Sequence, residues 1–387
     1  MNANGLRAQG EWTLLRLRDS GTMLAVRAHR RIPLQEPLMH RLSPSRRHFL
    51  QLSAAGGAVL AVPGWATGWA QQPSAPAAPS ELERRPFGKT DMRVTVLGFG
   101  GAEIGFEQTE QSTIETLLNT ALDAGLNVVD TAECYRDSEV QIASAIGHRR
   151  KDFYLFTKCG HAVDGASADG AWTKGRLLAS LERSLKRLKT DAVDLLQLHS
   201  CSLEELQKGE AIEALEEAKR AGKTRYIGYS GDSKAARYAV ECGRFDALQT
   251  SINFCDQECI ELVLPLAKEK QMGVIAKRPI ANAAWRYDQS PTNGYHVEYW
   301  NRLQVLKYEF ALGEARANQG PDGAAGIAMR FTAMQPGVSV LIVGTTKPER
   351  WKQNAELLRA GPLSAEFERS IRARWKAAAK PDWTGQT

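Results

Sequence analysis

The sequence predicts an α/β fold, a single eight-stranded parallel (β/α) TIM barrel with an N-terminal β-hairpin. Short apolar runs alternate with amphipathic stretches, which is the pattern of strands followed by helices. Eight such pairs fit into about 260 residues, which matches one barrel better than a doubly wound sheet. Gly125, Gly222 and Gly243 follow amphipathic stretches, where helix C-caps are expected.

Length and charge set the first limits. The chain has 387 residues, of which 43% are hydrophobic, so it can bury one large core or two ordinary ones. Residues 1–50 contain nine arginines, no lysine and three acidic residues, which accounts for the whole formal charge of +6. The rest of the chain is balanced, so no basic surface for nucleic acid is expected on the folded part.

The N-terminal region resembles an export signal. Ser45 to Leu50 reads Ser-Arg-Arg-His-Phe-Leu and precedes an uncharged, Gly- and Ala-rich run to residue 70. This order is typical of a twin-arginine signal, which implies the twin-arginine translocase as partner and a periplasmic location, or a cytoplasmic one if the leader is not functional. A transmembrane helix is the alternative, but the run is barely long enough, so no stable membrane span is expected. Translation from Met39 would bring the motif close to the N-terminus.

Composition divides the whole chain into four segments. Residues 1–70 are the extension and signal, and 71–81, rich in proline and alanine, are a predicted disordered linker. Residues 82–360 form the predicted barrel, and 361–387 a C-terminal tail. A hairpin is expected over 84–94, around Gly88. The expected strands are 96–100, 127–130, 153–158, 193–199, 225–230, 247–252, 273–277 and 340–344. The expected helices are 109–124, 138–147, 174–188, 211–221, 233–242, 259–270, 323–335 and 348–360. The gap 281–319 is too long for an ordinary connection, which predicts a functional loop over the barrel mouth.

Chemistry in such a barrel lies at the C-terminal ends of the strands. Asp130, Lys158 and His199 end the second, third and fourth expected strands, and Tyr135 follows five residues after Asp130. Lys158 comes after an apolar run and would be partly desolvated, so pairing with Asp130 would relieve both charges. Each residue alone also has an ordinary structural explanation. Four of them on adjacent strand ends favour a catalytic group.

These residues resemble the tetrad signature of the aldo-keto reductase superfamily. The matching motifs are Asp-Thr-Ala-x-x-Tyr ending at Tyr135, Thr-Lys ending at Lys158, and Leu-Leu-Gln-Leu-His ending at His199. The resemblance covers residues 82–360. It implies that Tyr135 is the general acid, that Lys158 lowers its pKa, that Asp130 holds Lys158 and that His199 orients a substrate carbonyl. A phenol is a poor acid at neutral pH unless a nearby cation stabilises its anion.

The same resemblance implies an NADP(H) cofactor. Ser230 and Gln249 match contacts to the nicotinamide amide, and residues 342–354 resemble the segment that holds the adenosine 2′-phosphate and adenine. Hydroxyls and two cations at a helix N-terminus suit a phosphate, which favours NADPH over NADH, although a capped surface helix would look similar. The expected cofactor-binding residues are Gly100, Gly101, Ser230, Gly231, Gln249, Lys277, Arg278, Gly344, Thr345, Thr346, Lys347, Arg350, Gln353 and Asn354.

Four positions depart from the family pattern. Lys277 stands where an aromatic ring usually stacks on the nicotinamide, Gly231 replaces a usual Asn, Gly344 a frequent Lys, and Arg136 a common Gly. Arg278 is a candidate to lay its planar guanidinium over the nicotinamide instead.

Three of the six cysteines neighbour expected site residues, namely Cys134, Cys159 and Cys201. No Cys-x-x-Cys is present, and the pair 255/259 lacks a nearby His pair, so no metal site is predicted and small buried residues are the preferred interpretation. A Cys134–Cys159 disulfide in an oxidising compartment is the alternative.

The sequence therefore predicts a monomeric barrel that reduces an aldehyde or ketone with NADPH, or oxidises the alcohol. One alternative is a cofactor-sensing or partner-binding regulatory subunit on the same fold, and another is a barrel hydrolase or lyase with Lys158 as Schiff base. In the family, loops such as 200–209, 281–319 and 361–387 set the substrate. Aromatic candidates for an apolar pocket are Trp172, Trp285, Tyr287, Tyr295, Trp300 and Trp383, although such residues also pack among themselves.

Overall fold

The computed structural model describes residues 82–161 and 171–386, together with the backbone of two short strands nearer the N-terminus. These strands, β1 (Trp12–Arg16) and β2 (Met23–Arg27), pair antiparallel. The chain divides into two compact units, Met1–Gln72 and Pro73–Thr387. The twin-arginine motif, Met39 and the linker lie outside the described residues, so the predictions made for them stay predictions.

The expected hairpin precedes the barrel. Strands β3 (Arg84–Pro86) and β4 (Arg93–Thr95) pair antiparallel, which confirms the prediction. Gly88 in the turn has a φ of +58°, and a Cβ there would lie 2.5 Å from the carbonyl oxygen of Gln271, so the turn requires glycine. Phe87 is fully buried in a cluster of barrel side chains, so the hairpin covers the end of the barrel where the strands begin.

Eight parallel strands close into a barrel in sequence order, and pairing of the last strand with the first completes it. The residues at these strands are buried almost without interruption, as expected for a sheet covered on its outer face by helices. All eight strand predictions are confirmed to within two residues. The strands are β5 (Leu97–Gly100), β6 (Val128–Asp130), β7 (Tyr154–Cys159), β8 (Val193–His199), β9 (Thr224–Ser230), β10 (Ala247–Ser251), β11 (Gly273–Lys277) and β12 (Val338–Val343).

Helices follow the strands, and short 3-10 turns cover 147–152, 281–286, 309–311 and 313–317. The helices bury one apolar stripe each; α4, for example, buries leucines at 177, 181, 185 and 188. Gly125, Gly222 and Gly243 have positive φ, which confirms their expected role at helix ends. The helices are α1 (Ala102–Phe106), α2 (Gln111–Asp123), α3 (Ser138–Ile146), α4 (Lys174–Leu188), α5 (Leu203–Lys208), α6 (Glu210–Arg220), α7 (Ser233–Glu241), α8 (Glu258–Leu262), α9 (Leu264–Glu269), α10 (Gly294–Leu306), α11 (Ala324–Ala333), α12 (Arg350–Arg359) and α13 (Ala365–Ala378).

One expected helix is divided. The prediction of a single helix over 259–270 was wrong, because the chain leaves helical geometry at Val263 between α8 and α9. Pro265 in the first turn of α9 explains the break, since proline lacks an N–H and restricts the residue before it.

The long connection 281–319 is more ordered than the sequence indicates, because it contains α10 and three short 3-10 turns. Tyr299 on α10 is fully buried and donates a 2.8 Å hydrogen bond to Asp256. Arg302 is 1% exposed, forms ion pairs with Asp256 and Glu298, and lies over the Trp383 ring at 5.5 Å. The segment is therefore a packed layer and not an open loop.

The tail carries α13 and returns to the barrel rim. The backbone carbonyl of Thr384 accepts a 2.6 Å hydrogen bond from Arg302, and Gly385 donates one of 2.9 Å to Glu258. Trp383 packs 5.4 Å from Trp375, so this aromatic residue contributes to the tail's own packing. Across the described ranges, no helix has the length and apolar character needed to cross a membrane.

Candidate active site

A buried ion pair lies at the C-terminal ends of β6 and β7. Lys158 and Asp130 are both about 1% exposed, and the Lys158 ammonium contacts Oδ2 of the Asp130 carboxylate. Lys158 also donates to the carbonyl oxygen of Thr131 at 2.8 Å. Burial raises the pKa of Asp130, and the charge of Lys158 and the hydrogen bonds to the carboxylate partly oppose this shift. The expected pairing of these two residues is present.

Two glutamines and one serine on neighbouring strands connect to this ion pair through hydrogen bonds. Oδ1 of Asp130 accepts hydrogen bonds from Gln197 at 3.2 Å and from Gln249 at 3.1 Å. Ser230 donates to Oε1 of Gln249 at 2.8 Å. Together with Lys158 these residues come from five consecutive strands, β6 to β10. We call the set of Asp130, Lys158, Gln197, Ser230 and Gln249 the rim network.

Tyr135 is half-buried beside the ion pair. The Lys158 ammonium lies 5.0 Å from the centroid of the Tyr135 ring, and the His199 ring meets it edge-on at 5.6 Å. Burial raises the pKa of Tyr135 well above its usual value, and the negative charge of Asp130 adds to this effect. The expected lowering of this pKa is not seen here, because Lys158 is neutralised by Asp130 and the phenol is desolvated. Tyr135 therefore stays protonated at neutral pH in this structure.

His199, the last residue of β8, is half-buried. Burial lowers its pKa well below the usual value, and the nearby charges of Lys158 and His161 lower it further. The His199 imidazole stacks on that of His161 at 4.3 Å, and its Nδ1 lies 3.3 Å from the sulfur of Cys134. The structure thus brings Asp130, Tyr135, Lys158 and His199, which we call the tetrad, to one mouth of the barrel.

Packing at the end of β9 explains why glycine, and not the usual Asn, stands at position 231. A Cβ on Gly231 would lie 2.5 Å from Cζ of Tyr229, whose hydroxyl donates a 2.8 Å hydrogen bond to the carbonyl of Cys201. Any side chain at 231 would displace this buried ring. The glycine is therefore required by the packing of Tyr229.

Lys277 and Arg278 end β11. Lys277 forms a 3.0 Å ion pair with buried Asp232, which also accepts hydrogen bonds from Thr250 and Ser251. Burial lowers the pKa of Lys277, and Asp232 opposes that shift. Arg278 has a φ of +55° and its guanidinium lies 5.1 Å from the Tyr295 ring centroid. A stacking partner for Arg278 is therefore supplied by the protein itself.

Three glycines without side chains, Gly100, Gly101 and Gly344, lie where β5 and β12 end, and we call them the seam. A Cβ on Gly344 would lie 2.8 Å from the carbonyl of Gly100, and one on Gly100 would lie 3.4 Å from the backbone nitrogen of Gly344. A Cβ on Gly101 would lie 2.7 Å from the Ser138 hydroxyl. The Glu103 carboxylate occupies the space beside Gly344, and burial raises the pKa of Glu103 to about 7. A lysine at 344 does not fit this arrangement.

The segment that is expected to bind the adenosine 2′-phosphate follows the seam. Thr346 donates to Glu107 at 3.2 Å, and the backbone N–H of Lys347 donates to the Thr345 hydroxyl at 3.1 Å. Helix α12 begins at Arg350 without a side-chain cap, and the backbone N–H of Arg350 donates to the carbonyl of Lys347 at 3.0 Å. Gln353 is exposed and Asn354 is buried on the same helix. These residues lie together on the β12 rim and share no described hydrogen bond with the tetrad.

Sequence reasoning missed several site residues. Gln197 stands two residues before His199 and so lies on the same face of β8, a signal that strand alternation offers. Glu103 lies in the short helix α1, Asp232 follows β9 and His161 lies two residues past β7, where strand spacing does not indicate the direction of a side chain. All six cysteines are free thiols, so the disulfide alternative is not formed; Cys159 and Cys201 are buried, while Cys134 is half-buried beside two imidazoles.

Comparison with known proteins agrees with this geometry. Residues 96–376 match the model of the aldo/keto reductase family. The uncharacterized oxidoreductase YqkF of Bacillus subtilis is 29% identical over 76% of this chain and 97% of its own length, and L-galactose dehydrogenase of Arabidopsis thaliana is 26% identical over 71% and 88%. The holo form of aldo-keto reductase AKR11C1 from Bacillus halodurans superposes with a TM-score of 0.65 at 27% identity, covering 78% of this chain and 99% of that one. The family model spans more than half of the chain, and the chain belongs to the aldo/keto reductase family.

Proposed function

We propose that the protein is an NADP(H)-dependent oxidoreductase that reduces an aldehyde or ketone to an alcohol, or catalyses the reverse reaction, with Tyr135 as the proton donor. The observation that carries the proposal is that the Tyr135 ring lies close to both the Lys158 ammonium, at 5.0 Å, and the His199 ring, at 5.6 Å. A protonated phenol, a cation and a neutral imidazole at one mouth suit carbonyl reduction.

NADPH, when bound, would supply the hydride for the carbonyl carbon. Tyr135 donates its hydroxyl proton to the carbonyl oxygen, and the phenolate that forms is stabilised by Lys158. His199, neutral at pH 7 because its pKa is lowered, donates its ring N–H in a hydrogen bond that orients the carbonyl. Tyr135 then recovers a proton from solvent, which completes the cycle.

The β12 rim supports NADP(H) in preference to NAD(H). Lys347 and Arg350 have no ion-pair partner among the described side chains, and two threonine hydroxyls and the first turn of α12 lie beside them. A dianionic 2′-phosphate is suited to such a site, since helix N–H groups and cations both favour it.

The two alternatives find less support. The relatives named above are oxidoreductases, which gives no reason to prefer a regulatory subunit. A Schiff-base role requires a free amine, whereas Lys158 pairs with Asp130 and donates to Thr131.

The test is NADPH consumption by the full-length chain with a panel of aldehydes and ketones, beside the Tyr135→Phe variant. Turnover should fall by at least about 100-fold in the variant, because the proton donor is removed, while NADPH binding measured by fluorescence is kept. If NADPH binds to both forms and neither reduces any carbonyl, the regulatory alternative becomes the better one.

A further inference from the structure

A thiol and two imidazoles converge at the barrel mouth. Cys134 follows β6, His161 follows β7, and His199 ends β8, so three adjacent strands deliver them to one place. The sulfur of Cys134 lies 3.5 Å from Nδ1 of His161 and 3.3 Å from Nδ1 of His199. All three donor atoms lie within 4.8 Å of one another.

These separations match those of a metal site. In tetrahedral zinc coordination, bond lengths of about 2.3 Å to sulfur and about 2.0 Å to nitrogen place the sulfur and nitrogen ligands about 3.5 Å apart. The two imidazole rings are stacked with an interplanar angle of 20°, which turns both Nδ1 atoms toward Cys134. No ligand atom has to travel far to accept a metal ion.

Two of the ligands are already fixed by the scaffold. The turn that carries Cys134 is held by backbone hydrogen bonds from Thr131 to Phe156 and from Glu133 to Lys158. His199 lies in a strand that pairs on both sides. Ligands held in advance lose little conformational freedom on binding, which favours affinity. His161 is exposed and is the adaptable member of the set.

We infer that Cys134, His161 and His199 form a zinc-binding site, and that bound zinc blocks carbonyl reduction by holding His199. One thiolate and two imidazoles are the ligands that zinc prefers, and they are poor ligands for magnesium or calcium. Binding replaces the thiol proton of Cys134 with the metal and releases that proton to solvent. Three protein ligands leave a fourth position for water or another small ligand.

The surrounding charges limit the affinity. Lys158 and Lys277 both act on this part of the mouth, and their repulsion opposes a divalent ion. The thiolate offsets one of the two charges of the ion. We therefore expect a reversible site that a chelator empties, and not a structural zinc.

Cobalt is the probe for the site itself. The full-length chain, stripped with a chelator, should bind about one equivalent of Co²⁺ and show the near-ultraviolet charge-transfer absorption of a cobalt–thiolate bond. Cys134→Ser should abolish this absorption, and His161→Asn should weaken binding at least about tenfold. Cys242→Ser, which changes another half-buried cysteine, should leave the spectrum unchanged. A spectrum without the charge-transfer band, or one that survives Cys134→Ser, overturns the site.

The inhibitory role rests on the proposed function and has its own readout. Zinc should reduce the rate of the wild-type enzyme at least about tenfold and a chelator should restore it, whereas His161→Asn, compared with its own zinc-free rate, should lose this sensitivity. Inhibition that is equal in both proteins overturns the inhibitory role. If no carbonyl is ever reduced, the proposed function fails, while the cobalt spectrum still decides the site.

Discussion

The ammonium nitrogen of Lys158 lies 5.0 Å from the centroid of the Tyr135 ring, at the point where β7 ends. The same ammonium forms the ion pair with Asp130, in which neither side chain is more than 2% exposed. The Lys158 ammonium therefore interacts with both Asp130 and Tyr135. It neutralises a buried carboxylate, and in the proposed reaction it would also stabilise the phenolate of Tyr135.

Replacing Lys158 should harm both stability and activity. Lys158→Met leaves Asp130 buried without a counter-ion, so the free energy of unfolding should fall by about 3–5 kcal/mol in urea denaturation. Carbonyl reduction should fall at least about 100-fold. The double variant Asp130→Asn with Lys158→Met should regain most of the stability and none of the activity. If Lys158→Met is as stable as the wild type, the ion pair does not contribute to the free energy of unfolding.

Glu103 should make stability depend on pH in the neutral range. Burial raises its pKa to about 7, above the ordinary value of 4.5. Its protonated form suits the folded state, so this contribution is complete below about pH 4.5 and is lost as the pH rises through about 7. Glu103→Gln should therefore be more stable than the wild type at about pH 8.5, by on the order of 1–2 kcal/mol since the side chain is partly exposed, and close to it at about pH 5.

The matched control for Glu103 is Glu115→Gln, which changes an exposed carboxylate on α2. Urea unfolding at both pH values should give the same difference from wild type for this control. If Glu103→Gln also behaves identically at the two pH values, the Glu103 carboxyl is already ionised in the neutral protein.

Arg350 should distinguish the two nicotinamide cofactors. If it contacts the 2′-phosphate, Arg350→Ala loses a charge-assisted hydrogen bond worth about 1.5–3 kcal/mol, so NADPH should bind about 10- to 100-fold more weakly. NADH, which lacks that phosphate, should bind almost as before. Titration by fluorescence measures both, and Arg359→Ala at the other end of α12 is the control. An equal loss for both cofactors would place the phosphate elsewhere.

The arginine pair near the N-terminus should decide export. With Arg46→Lys and Arg47→Lys together, we expect the protein to remain in the cytoplasm of a bacterium with a twin-arginine translocase, because the signal depends on both arginines. Cell fractionation followed by immunoblotting measures the distribution. Arg41→Lys, outside the motif, should be exported like the wild type. A wild-type protein found only in the cytoplasm would mean that the leader does not work.

Much of the fold could be predicted because parallel strands buried on both faces appear as continuous apolar runs. Helix α10 could not, since its buried positions include Arg302 and His296, which interrupt the apolar periodicity. Arg302 is tolerated inside because carboxylates and aromatic rings surround it, and two of these partners, Asp256 and Trp383, come from distant parts of the chain.

Some features of the candidate site could likewise be predicted from the sequence, and others could not. Asp130, Lys158 and His199 could be found because strand ends in a barrel share one rim. The contact of Cys134 with His161 could not, because His161 lies beyond the end of β7 and the direction of a loop side chain is not encoded in spacing. The raised pKa of Tyr135 also depends on burial, which a motif does not report.

The rim network has a consequence for engineering. Gln249, the residue expected to contact the nicotinamide, donates to the same carboxylate that holds Lys158. A substitution chosen to change cofactor preference at Gln249 therefore also removes a hydrogen bond from Asp130, and Ser230 loses its acceptor. Positions 197, 230 and 249 are therefore best varied together, with Asp130 and Lys158 kept.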